Sequence, residues 1–87
     1  MKNQEKIIEN SVNWFSNQMK GELLNHLDRP GWKDESMEYL VHRLYAEIVE
    51  LRDAIESNQP REVVTKEAAD VSNFIMMIAD IYRQKEG

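Results

Sequence analysis

Two short runs in this 87-residue chain carry acids at helical spacing, Glu47-Ile48-Val49-Glu50 and Glu67-Ala68-Ala69-Asp70. Residues three apart on a helix lie on neighbouring turns of one face, so each run aims two carboxylates the same way. Two such helices side by side would converge four oxygen ligands on one point. Hard divalent cations such as Mg²⁺ and Mn²⁺ prefer carboxylate oxygen and water, so the chemistry this spacing suggests is metal binding. The alternative is four ordinary solvated helix acids.

Helical phase, at about 100° per residue, weighs the two. On the first of these helices Met37, Leu40, Leu44, Ile48, Leu51 and Ile55 fall within about 40° of Leu44 and predict the buried stripe. Glu47 falls about 60° to one side and Glu50 about 120° to the same side, a shoulder along the core. On the second helix Val64, Ile75, Ile78 and Tyr82 fall within about 40° of Val71. Glu67 sits about 40° from Val71, flanked by Val63 and Phe74, and Asp70 sits near 100°, between Ile81 and Met77. A carboxylate inside an apolar stripe is expensive unless it is paired or bound to metal. Glu67 is therefore the acid least suited to being a bystander.

Glu47-x-x-Glu50 followed by Glu67-x-x-Asp70 resembles the signature of the MazG-like all-α nucleoside triphosphate pyrophosphohydrolases. The resemblance extends to Gly31-Trp32-Lys33, to the run from Tyr39 to Leu44 and to the run from Ala68 to Asp80, so that it covers roughly residues 29 to 83. It implies a house-cleaning type of activity, Mg²⁺-dependent (or Mn²⁺-dependent) hydrolysis of a nucleoside triphosphate to the monophosphate and pyrophosphate. Attack by water at the α-phosphorus needs charge neutralisation and an oriented nucleophile. Metal held by Glu47, Glu50, Glu67 and Asp70 would meet the first need, and Glu47 or Glu50 could polarise the water. The resemblance also strengthens Lys33 as a phosphate contact at a helix N-terminus. Trp32 and Asn73 are the other candidate substrate contacts, Trp32 having a structural role as its alternative. Two rival functions stand beside this one: a helical oligomeric interaction module, and a nucleotide-binding homologue without efficient turnover.

The acids need elements to position them. Residues 3 to about 25 read as a first helix, with Ile8, Val12, Phe15, Met19 and Leu23 in one stripe. Gly21 could bend it, and Trp14 lies off the stripe, as a partly exposed or subunit-contact residue, with nucleotide stacking as its alternative. Pro30-Gly31 marks a break, Pro presetting φ and Gly accepting positive φ. Asp34, Glu35 and Ser36 offer capping oxygens, and the second helix is expected to start within a residue or two of Asp34. Ser57-Asn58-Gln59-Pro60 ends it and opens a third helix from about 61 to 83. So short a linker makes an antiparallel hairpin. Glu50 and Glu67 stand about eight residues from the turn on either side, at a similar height. Arg43 and Lys66, four residues before Glu47 and Asp70, are placed for ordinary salt bridges. His42 points away from its helix's stripe and reads as solvated, and nothing pairs His26 with a nucleophile or metal.

Composition narrows the rest. The chain reads as one all-α domain, an N-terminal helix plus a helical hairpin. It lacks cysteine, hence disulfides and Cys-based zinc. A chain this short buries only about 60–65% of its unfolded surface. Its third helix is apolar nearly all round, with Met76 and Met77 as core or interface filling, which predicts a homodimer or dimer of dimers with a four-helix-bundle core. The net charge of −5, with both signs mixed along the chain, speaks against nucleic-acid and anionic-membrane surfaces. No membrane-length apolar run and no signal-peptide core are apparent, so the expected compartment is the cytoplasm.

Overall fold

A computed structural model describes residues 2–85, leaving Met1, Glu86 and Gly87 outside. Three helices hold the regular structure of the described residues: α1 (Lys2–Leu24), α2 (Met37–Glu56) and α3 (Arg61–Gln84). The fold is all-α, as expected. α3 is the middle element, packing on both other helices, whereas α1 and α2 do not pack on each other.

Local chemistry explains the boundaries. Ser36 caps α2, its hydroxyl oxygen accepting the Tyr39 backbone N–H at 3.1 Å. The helix thus begins at Met37, slightly later than expected, because Asp34 and Glu35 lie in a turn closed by the Glu35 N–H on the Trp32 carbonyl at 3.1 Å. α2 ends in a Schellman arrangement. The Gln59 N–H reaches the Ala54 carbonyl (3.0 Å), the Asn58 N–H reaches that of Ile55 (3.1 Å), and Asn58 takes a φ of 56°. Asn tolerates this left-handed conformation better than most side chains. α3 starts at Arg61, as expected, with Pro60 preceding it as its cap residue. Gly31 does not use positive φ, and Gly21 leaves α1 unbroken.

The hairpin forms as predicted, but its apolar faces are covered unevenly. On α2 the buried residues are Leu40, Glu47 and Ala54, with Leu44 and Leu51 half-buried. Ile48 and Ile55, assigned to the stripe, are exposed. The face against α3 is therefore rotated towards Glu47. On α3 the buried set is Ala69, Val71, Asn73 and Asp80, while Ile75 and Tyr82 are exposed. The reason is that α3 has two neighbours: the side carrying Glu67 and Phe74 meets α2 and the side carrying Asn73 meets α1, which leaves the flank of Ile75 and Tyr82 open. In α1 only the C-terminal half is covered. Phe15, Met19 and Leu23 are half-buried, and Ile8 and Val12 are exposed.

Candidate metal centre

Three of the four predicted acids come together. Glu47 and Glu50 from α2 and Glu67 from α3 each place a ligand oxygen so that the three lie within 4.8 Å of one another. The hairpin does this because the turn at 57–60 holds α2 and α3 antiparallel in the register the spacing required. Arg43 adds a clamp between the helices, its guanidinium lying 5.4 Å from the centroid of the Phe74 ring. The same guanidinium donates from Nη2 to Glu47 Oε2 at 3.0 Å. Lys66 pairs with Asp70 at 3.2 Å. Both i,i+4 pairs expected from the spacing thus form.

The cluster holds more negative charge than its partners balance. Glu47 is only 6% exposed. Burial, then the charges of Glu50 and Asp70, push its carboxyl above the ordinary value, with Arg43 opposing. Burial likewise raises Glu67. Lys66 opposes that shift, and Glu50, Asp70 and Glu22 add to it. Glu67 Oε1 is buried without a hydrogen-bond partner. A buried carboxylate oxygen left in that state carries a desolvation penalty, which a proton or a bound hard cation would relieve. The donor set, three carboxylates and no nitrogen or sulfur, fits a hard divalent cation.

Asp70 stands outside the trio, held by Lys66. That hydrogen bond keeps the Lys66 ammonium above its ordinary value. Lys66 Nζ also lies 4.0 Å from Oε1 of Glu22 on α1. Glu22 escaped notice in the sequence, although a signal existed: by helical phase it sits about 60° from the centre of the α1 stripe, the offset that singled out Glu47.

The three other candidate residues lie elsewhere. Asn73 is 3% exposed and donates through Nδ2 to the Met19 carbonyl of α1 at 3.0 Å, with its Oδ1 buried and unpartnered. The Trp32 indole N–H donates to Asp80 Oδ2 at 2.9 Å, and Arg83 Nε donates to Asp80 Oδ1 at 2.7 Å. These two bonds hold the buried Asp80 carboxyl below its ordinary value. Lys33 lines a concavity with Asp80, Ile81, Gln84 and Lys85. Asp80 is thirteen residues beyond Glu67 on α3, roughly 20 Å at the helical rise. Within one chain, then, Trp32 and Lys33 serve the far end of α3 and not the acid cluster. His42 is exposed, as expected.

No family model matches the chain, and no solved structure matches it. It is similar to an uncharacterized protein of the archaeon Archaeoglobus fulgidus, at 36% identity over 69 residues that span 74% of this chain and 73% of the relative. At that identity and coverage, the chain belongs to the same family as the archaeal protein.

Proposed function

We propose that the protein is a Mg²⁺-dependent nucleoside triphosphate pyrophosphohydrolase that uses the Glu47, Glu50 and Glu67 cluster. The observation that carries this reading is the convergence of those three carboxylates from two antiparallel helices, with one Glu67 oxygen buried and unpartnered. The resemblance of residues 29 to 83 to the MazG-like enzymes supplies the reaction. Glu47, Glu50 and Glu67 would hold the ion, with Asp70 as the fourth acid. When bound, the ion neutralises the triphosphate and acts as a Lewis acid at phosphoryl oxygen. Glu47 and Glu50 stand one turn apart on the same side of α2, where one of them can orient and deprotonate the attacking water. Arg43, already anchored on Glu47, fixes that carboxylate in place.

The test is pyrophosphate release from a panel of ribo- and deoxynucleoside triphosphates with Mg²⁺, comparing wild type with Glu67→Gln. Release that falls at least about a hundredfold in the variant supports the enzyme. No release from any nucleotide would leave a helical interaction module or a binding homologue that does not turn over.

The same reading includes assembly. Four apolar residues, Leu40, Ala54, Ala69 and Val71, are buried among the described residues, a small core for one domain. Ile48 and Ile55 of α2 and Ile75 and Tyr82 of α3 are exposed. By helical phase they flank the hairpin on the side opposite the acids. A second copy packed there would complete a four-helix core as a homodimer, itself able to pair into a dimer of dimers, and would leave the cluster open. Sedimentation should give at least twice the chain mass, and Ile48→Glu should reduce it to a monomer. A monomeric wild type would overturn the assembly alone.

A further inference from the structure

The structure leaves one acid of the predicted four unconverged, and it also shows what holds that acid. Lys66 reaches between carboxylates of two different helices, 3.2 Å from Asp70 Oδ2 and 4.0 Å from Glu22 Oε1. Both acids are largely covered, with side chains 22% and 18% exposed, whereas Lys66 is 51% exposed. The ammonium therefore sits as an outer plug over two inner carboxylates. Its pair with Asp70 is an i,i+4 contact open to solvent, a class that contributes little and breaks easily.

We propose that Lys66 is a latch on the fourth ligand. It holds Asp70 away from the Glu47, Glu50 and Glu67 cluster while no divalent cation is bound, and it transfers to Glu22 when Asp70 turns inward to complete the ligand set. Glu22 is the landing place because its oxygen already lies within ion-pair distance of the same nitrogen. The exchange gives up the Lys66–Asp70 contact and keeps Lys66 with Glu22, so neither is left unpaired. It also gives α1 a part in the site: this helix, through Glu22, sets how readily the hairpin accepts a cation.

This inference rests on the metal-site reading above. It is tested by titrating Mn²⁺ alone into the full chain in a calorimeter. Lys66→Met should bind Mn²⁺ roughly two- to tenfold more tightly than wild type. Arg61→Met removes an equal charge from the same helix at an exposed position and should stay within about twofold of wild type. Glu22→Gln should weaken binding roughly two- to fivefold, and should have no further effect in the Lys66→Met background, where there is no ammonium to receive. Circular dichroism of each variant checks that the helices are kept. Binding by Lys66→Met equal to or weaker than wild type overturns the latch and leaves the metal site standing. Tightening by Arg61→Met as large as that by Lys66→Met reduces the effect to bulk charge and also overturns it. Wild type that binds no Mn²⁺ removes the metal site itself, and the latch with it.

Discussion

α3 carries buried carboxylate chemistry at two levels, and the two are treated in opposite ways. At the level of Asp80 each carboxylate oxygen has its own donor, the Trp32 indole on one and the Arg83 guanidinium on the other, and the acid is held below its ordinary value. At the level of Glu67 an oxygen is buried with no donor, two further acids converge, and both Glu47 and Glu67 are pushed up. A protein that only needed to fold would treat both alike, since unsatisfied buried charge is destabilising. The first level is a fastening that ties the 25–36 segment to the end of α3. The second leaves crowded carboxylates and one oxygen without a donor, the arrangement on which the metal-binding proposal rests.

The comparison breaks if both levels respond alike to metal and to mutation. The largest expected effect is on heat stability. A ligand present at a hundred times its dissociation constant adds about 2.7 kcal/mol, so saturating Mn²⁺ should raise the Tm of wild type by roughly 10–20 °C and that of Glu67→Gln far less. Differential scanning fluorimetry would show it, and equal shifts in the two proteins would erase the distinction. Next in size, Trp32→Phe removes the donor to Asp80 Oδ2. It should lower Tm by roughly 5 °C while Mn²⁺ affinity stays within about twofold.

How far these levels could be read from residues alone differs between them. The hairpin, its turn and the convergence of Glu47, Glu50 and Glu67 were legible, because period and spacing are properties of single helices and one short linker. The Arg43–Glu47 and Lys66–Asp70 pairs were legible for the same reason. The exposure of Ile48, Ile55, Ile75 and Tyr82 was not, since helical phase says which residues share a face but not which neighbour covers it. The partner of Trp32 was hidden too. Its bond to Asp80 spans 48 residues, and no local pattern pairs an aromatic in a loop with an acid three helical turns beyond the cluster. Asn73 was expected to contact substrate, but with α1 packed beside it its amide donates to the Met19 carbonyl.

The pH response sharpens the contrast with smaller effects. Glu47 and Glu67 have native pKa values above those of the unfolded chain, so the native state binds more protons between the ordinary carboxylate value, about 4.3, and the raised one. In that window metal-free stability should rise as pH falls. Asp80 works the other way: its contribution is complete above the unfolded value and is lost as pH falls through the lowered native one. Urea unfolding of metal-free protein, followed as pH is lowered toward the ordinary carboxylate value of about 4.3, should therefore show a gain that Glu47→Gln diminishes; a steady loss would contradict the assignment. The smallest effect expected is that of Lys33→Ala on Mn²⁺ affinity, less than about twofold, since one charge roughly 20 Å away is largely screened at physiological salt. A larger change would bring Lys33 to the acids through a neighbouring subunit.

The Schellman turn around Asn58 has a consequence for how the molecule comes into being. It joins α2 and α3 through a loop so short that the acids meet by closing a local hairpin, a contact of low sequence separation that forms early and fast. The contacts of α1, such as Asn73 with Met19 across 54 residues, require a far longer loop to close. Folding should then proceed with the three-carboxylate cluster assembled first and the α1 side docked afterwards.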